Sequence, residues 1–243
     1  MARRSSPFTA ARARRPSTGL ATGQTLCLSD MHDASVIERL AQRLSRLHRA
    51  SVDVPTATSP FERFYGFEQR AIEGGRPWPQ AMTRAAEFVR RLEEELQHTT
   101  PRPCHLDLHA RNIILPPAQD PVFIDWVNGG LSDPVSDVAT IIAFLGLRDG
   151  QRDHFLASYQ KSMGEALDIA RLELLMPIRP FVAAASSLVN TPLDVSQSQL
   201  EQELARAELP GHELYSIPHS ARPEWPRWKW GLIALKMGLS HLP

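Results

Sequence analysis

Lysine is nearly missing from this 243-residue chain. Lys161, Lys229 and Lys236 are the three among 27 basic residues, so any chemistry that needs an ammonium side chain is confined to positions from 161 onward. Cysteine is as scarce: Cys27 and Cys104 are too few for a disulfide framework and fit a reducing compartment. No apolar run approaches the roughly 20 residues of a membrane-spanning helix, and the N-terminus lacks the apolar stretch of a secretory signal. Neither sign of charge is in surplus. Basic and acidic residues number 27 each and the pI is near 7.1, which removes the electrostatic footprint of a nucleic-acid binder. These absences predict a cytoplasmic protein with neither membrane nor nucleic acid as partner; composition says nothing of oligomeric state. What the chain does hold is 42% apolar residues, enough for a packed core.

Residues 1–29 stand apart. Arg3, Arg4, Arg12, Arg14 and Arg15 are mixed with Ser, Thr, Gly and Pro, and no acid occurs before Asp30, so the segment reads as a disordered basic tail. Residues 30–243 read as one domain. A helix is expected over about 35–49, with Val36, Leu40, Leu44 and Leu47 as its apolar stripe and Asp33 or Ser35 as its cap. A short amphipathic aromatic stretch follows over 61–71, then a helix over 80–98. Asp133 before Pro134 has the pattern of a helix cap followed by proline at the first helical position. Further helices are expected over 151–162, 164–188, 196–207 and 225–239. The pattern is helical, with one strand pair in the middle.

That strand pair carries the chemistry. Ile113-Ile114-Leu115 and Val122-Phe123-Ile124 are apolar runs separated by a Pro-rich turn, a hairpin signature. Its open end is predicted to bring Asn112 and Asp125 side by side. An amide oxygen and a carboxylate suit magnesium, a hard ion that prefers oxygen and keeps several waters. Upstream, His105, Asp107 and Asn112 have the H-x-D-x-x-x-x-N spacing of a kinase catalytic loop, in which the Asp orients the acceptor hydroxyl and the Asn holds metal. His105, Asp107 and His109 also alternate as zinc ligands on a strand can. No second ligand cluster follows at suitable spacing, and the hairpin accounts for more of the sequence. Trp225, Trp228 and Trp230 would suit an aromatic cage for a choline-like cation, although neighbouring tryptophans more often serve packing.

Residues 104–115 (Cys-His-Leu-Asp-Leu-His-Ala-Arg-Asn-Ile-Ile-Leu), with Phe123-Ile124-Asp125-Trp126 and the pair Asp133 and Asp137, resemble the aminoglycoside phosphotransferase and choline kinase superfamily. The resemblance implies an α+β, mostly helical fold: the C-terminal lobe of a protein-kinase-like phosphotransferase, with a small β-hairpin at the catalytic site. It implies a catalytic loop over 104–112, a metal hairpin over 112–126 and a helical substrate subdomain over 150–243. Asp107 would be the catalytic base, with His105 in the same catalytic loop as its brace. Asn112 and Asp125 would bind Mg2+ and, with it, ATP as co-substrate, and Asp137 would give the loop structural support. The partner would be a small-molecule hydroxyl substrate, aminoglycoside-, choline- or thiamine-like. A full member also has an N-terminal lobe with a phosphate-covering loop and a lysine. With no lysine before Lys161, that lobe is expected to be largely missing. The alternative expectation is therefore a catalytically silent, truncated remnant that binds a small molecule or a protein.

Overall fold

The computed structural model describes residues 23–96, 99–117, 119–207 and 226–242; residues 1–22 of the expected tail, and Trp225, lie outside these. The tail expectation needs correction at its end. Gln24–Thr25 form strand β1, Leu26 is buried, and its N–H donates to the Ile113 carbonyl at 2.8 Å, so the fold begins by residue 24. Helix α1 (Ala34–His48) starts where the Asp33 side chain accepts the Ser35 N–H at 2.8 Å. Its stripe Val36, Ile37, Leu40, Ala41 and Leu44 is buried. Helix α2 (Pro60–Glu73) opens on a reciprocal cap: Ser59 Oγ accepts the Glu62 N–H and the Glu62 carboxylate accepts the Ser59 N–H. The 61–71 stretch is thus part of a longer helix. Helix α3 (Gln80–Glu95) follows, with Ala85, Ala86, Val89 and Leu92 inward.

The expected strand pair is one part of a larger β arrangement. Strands β3 (Ile113–Leu115) and β4 (Val122–Phe123) form the hairpin, and β1 adds antiparallel to β3. A second, two-stranded sheet joins β2 (Arg102–Cys104) to β5 (Gly130–Ser132). These strands are too short, and too mixed in composition, to announce themselves by alternation. Their effect on the site is direct. The loop 105–112 leaves β2 and enters β3, and the loop 124–129 leaves β4 and enters β5, so each loop has a sheet at both ends.

Helix α4 (Pro134–Leu145) is buried along almost its whole length and ends at Gly146, whose φ of 62° is the left-handed turn glycine accepts freely. Helix α5 (Asp149–Met163) packs against α1. The single helix expected over 164–188 is in fact two, α6 (Ile169–Leu175) and α7 (Ile178–Leu188), because Pro177 has no N–H to continue the first. Helices α8 (Gln197–Arg206) and α9 (Arg227–Ser240) complete the order. Helix α7 packs on both α2 and α9. Contact with α9 is close because Gly238 has no side chain: a Cβ there would collide with the Phe181 ring.

Candidate active site

The loop 105–112 is held from below by one buried carboxylate. Asp137, on the first turn of α4, is fully buried and accepts the His105 N–H at 2.7 Å and the Leu106 N–H at 2.6 Å. It also meets His48 Nε2 at 3.2 Å. A carboxylate can only accept, so His48 carries its hydrogen on Nε2, and its Nδ1 accepts the Tyr159 O–H at 2.7 Å. Burial raises the Tyr159 phenol, which keeps that donor protonated. His48, Cys104 and Asp137 offer ligand atoms within 4.8 Å of one another, as a metal site would. Burial raises the Cys104 thiol, however, and Asp137 is already committed to three donors, so the cluster reads as an interior brace.

The brace holds a strained turn. Leu106 is buried at φ 61°, a left-handed conformation that costs a non-glycine residue roughly 1–3 kcal/mol. Fixing its N–H on Asp137 keeps Leu106 inside and brings Asp107 round to the open side. Asp107 is 16% exposed. Its carbonyl accepts from the His109 N–H at 3.0 Å and from Asn112 Nδ2 at 2.9 Å, which closes the loop on itself.

The Asp107 carboxylate has partners that the sequence did not announce. Oδ1 is ion-paired with Arg179, on the first turn of α7, and Oδ2 accepts from Asn128 Nδ2 at 3.2 Å. Asn128 is itself held by Arg63 of α2, whose Nη2 donates to the Asn128 carbonyl at 2.7 Å. Burial alone would raise the Asp107 carboxyl; Arg179 and then His109 outweigh it and hold the group below the usual carboxylate range. His109 Nε2 lies 3.8 Å from Oδ1. Burial, aided by Arg111 and Arg179 and opposed by Asp107, pushes the His109 imidazole down to about 4, so it is neutral at pH 7. The proline at 177 marks a new helix start near Arg179, but nothing local points to Asp107 as its partner.

His105 is fully buried and does not reach the open side. Its Nε2–H donates to the Ile124 carbonyl at 2.7 Å and its ring lies 4.6 Å from that of Trp126, so it ties the first loop to the second.

The hairpin register differs from the expected one by a single residue. Ile113 pairs with Phe123, so Asn112 faces Ile124, whose N–H donates to the Asn112 carbonyl at 3.0 Å, and Asp125 stands one step beyond. Asp125 adopts φ 61° and ψ 66°, which turns the chain out of the strand there. It is exposed, as are Ile124, Trp126 and Val127, although apolar residues flank it on both sides. The oxygen donors nevertheless fit magnesium. The Asn112 amide nitrogen is spent on Asp107, which leaves Oδ1 for a cation, and the Asp125 carboxylate is engaged by no residue among those described. An accessible carboxylate beside a carbonyl oxygen suits an ion that keeps much of its water.

The family model of the phosphotransferase enzyme family matches residues 21–175, more than half of the chain. Among curated proteins, the chain is 30% identical over 145 residues to protein LicA of Haemophilus influenzae, covering 58% of this chain and 53% of that one. The chain spans about half the length of the curated relatives it matches. Among solved structures, it is similar in fold to the choline kinase LicA of Streptococcus pneumoniae (TM-score 0.62, 16% identity, 88% of this chain and 67% of that one). It is also similar to a choline/ethanolamine kinase family protein of Mesorhizobium loti (TM-score 0.60, 16% identity, 90% and 73%).

Proposed function

The chain belongs to the phosphotransferase enzyme family, and we propose that it moves the γ-phosphoryl group of ATP to a hydroxyl of a small molecule. The observation that carries this reading is the junction of the two loops. Asp107 is a carboxylate anchored from behind by a buried brace, Asn112 closes the same loop on the Asp107 carbonyl, and Asp125 stands on the neighbouring loop, one step past the residue that faces Asn112. Asp107 is the catalytic residue. It receives the acceptor hydroxyl as a hydrogen-bond donor and directs its oxygen at the γ-phosphorus. An O–P bond forms as the bond from phosphorus to the bridging oxygen breaks, its electrons leave with ADP, and the hydroxyl proton passes to Asp107 and then to water. A carboxylate with a low pKa suffices, because the loose transition state of phosphoryl transfer needs little charge on the attacking oxygen. His105 and Asp137 are positioning residues that act through the loop. Mg2+ held by Asn112 and Asp125 would supply positive charge toward the phosphate oxygens.

One observation favours a second reading, a binding module without catalysis: Arg179 already occupies Oδ1 of Asp107. Calorimetric titration of Mg2+·ATP into the folded full chain separates the two, with Asp125→Ala as control. Magnesium-dependent binding that the substitution abolishes is the expected result. No binding at millimolar ATP, with folding verified by circular dichroism, would sink the kinase reading.

A further inference from the structure

We infer that Arg179 is a second catalytic residue, whose guanidinium receives the equatorial oxygens of the phosphoryl group as it passes from ATP to the acceptor hydroxyl. The inference rests on the phosphotransferase reading and deepens it, by naming the protein cation that meets the moving group.

Phosphoryl transfer is catalysed by position and charge, because the negative charge of the moving group is spread over three equatorial oxygens. No lysine of the chain supplies that charge at Asp107. Lys229 is paired with Glu203, Lys236 donates to the Ala207 carbonyl, and Lys161 stands exposed on the last turn of α5. Arginine surrounds the loop instead. Arg111 lies within it and acts on His109, Arg63 is held on the Asn128 carbonyl, and Arg179 pairs with Oδ1 of Asp107. Summed charge does not single out one of them: Asp107, Asp125 and Asp137 balance the three, and Asp137 acts on Arg63 from the interior. Placement does.

Arg179 shares a carboxylate with the acceptor. A carboxylate offers about four lone-pair sites. Side chains among the described residues take one on each oxygen, Arg179 on Oδ1 and Asn128 on Oδ2, so a hydroxyl can bind without displacing either. Two bonds of about 2.8 Å meeting at Oδ1 would set that hydroxyl roughly 5 Å from the Arg179 nitrogen. The phosphorus it attacks starts about 3–3.5 Å from it. The phosphoryl oxygens therefore come within reach of the guanidinium that Asp107 already holds. Arg179 and Asp107 are also equally exposed, so the arginine is as open to a substrate as the base is.

The guanidinium is fixed in advance. Its carbon lies 5.6 Å from the centroid of the Phe144 ring on buried α4, and its neighbours on the first turn of α7, Ile178 and Pro180, are buried. A planar fork held in this way meets a phosphate with little reorganisation. The ion pair with Asp107 is then a resting contact that keeps the cation where phosphoryl charge develops. No covalent bond to Arg179 forms or breaks; it donates hydrogen bonds and keeps its protons.

Affinity for a mimic of the phosphoryl group in flight tests this apart from turnover. Mg2+·ADP is titrated calorimetrically, with and without fluoroaluminate, into the full chain, into Arg179→Gln and into the charge-retaining Arg179→Lys, each shown to be folded by circular dichroism. In the unaltered chain fluoroaluminate should tighten ADP on the order of tenfold or more. Arg179→Gln should lose that gain while binding ADP alone as before. Arg179→Lys should keep only part of it, because one ammonium replaces a planar fork. A gain kept whole in either variant, no gain in the unaltered chain, or an equal loss of ADP with and without fluoroaluminate overturns the inference. The two readings fail separately. No binding of Mg2+·ADP by the folded chain removes the phosphotransferase reading and the inference with it, whereas a fluoroaluminate gain untouched by the substitutions removes the role of Arg179 alone.

Discussion

The two loops that meet at the site are finished to different degrees. On the inner side, Asp137, His48 and Tyr159 form a dry chain in which each polar group has a protein partner, and the strained Leu106 is fixed on it. On the outer side, Asp125 lies exposed among Ile124, Trp126 and Val127, with no protein partner among the described residues. Buried polar groups must be satisfied by the chain itself, since water cannot reach them. Exposed ones can be left for a ligand. The inner side therefore carries the stability of the loop, and the outer side carries its binding.

Removing the brace should have the largest effect on stability. Asp137→Ala leaves two buried backbone N–H groups and His48 without an acceptor, and should cost about 3–5 kcal/mol, read as a lowered urea midpoint. The helical seam behind Arg179 comes next. Gly238→Ala drives a methyl into the Phe181 ring of α7, for an expected loss of about 1–3 kcal/mol by the same measurement. Asp125→Ala should change stability by less than about 0.5 kcal/mol while abolishing magnesium-dependent nucleotide binding. A stability loss as large as that of Asp137→Ala would erase the distinction between the two sides. The smallest effect is chemical: in the native protein a thiol reagent at pH 8 should label exposed Cys27 and spare Cys104, whose thiol burial raises. Labelling of both at equal rates would mean that the brace opens readily.

The parts of this fold that the sequence predicted are those with local signals. The stripe of α1, the Asp133–Pro134 start of α4 and the Pro-bounded hairpin each depend on residues a few positions apart. Strands β2 and β5 gave no such signal, because Arg-Pro-Cys and Gly-Leu-Ser do not alternate. The apolar pattern that runs through Pro177 hid the division of α6 from α7, although the proline itself marks it. At the site, the spacing from His105 to Asn112 and the hairpin were readable, but the surroundings of Asp107 were not. Arg179 lies 72 residues away on another helix, and only packing of α7 against the loop region brings it to Asp107. The exposure of Asp125 was unreadable for a related reason: apolar neighbours imply burial only if they are themselves buried, and Ile124 and Trp126 are not.

The most direct test of the account is phosphoryl transfer followed by 31P NMR, with Mg2+·ATP and a panel of hydroxy-carboxylates, sugar phosphates and amino alcohols, for the full chain and for Asp107→Asn. The account predicts a new phosphate-ester signal that appears as ADP forms, slowed by about 10²–10⁴-fold in Asp107→Asn while its fold is kept. An undiminished rate in Asp107→Asn, or no transfer to any acceptor from a folded chain that binds nucleotide, would contradict it.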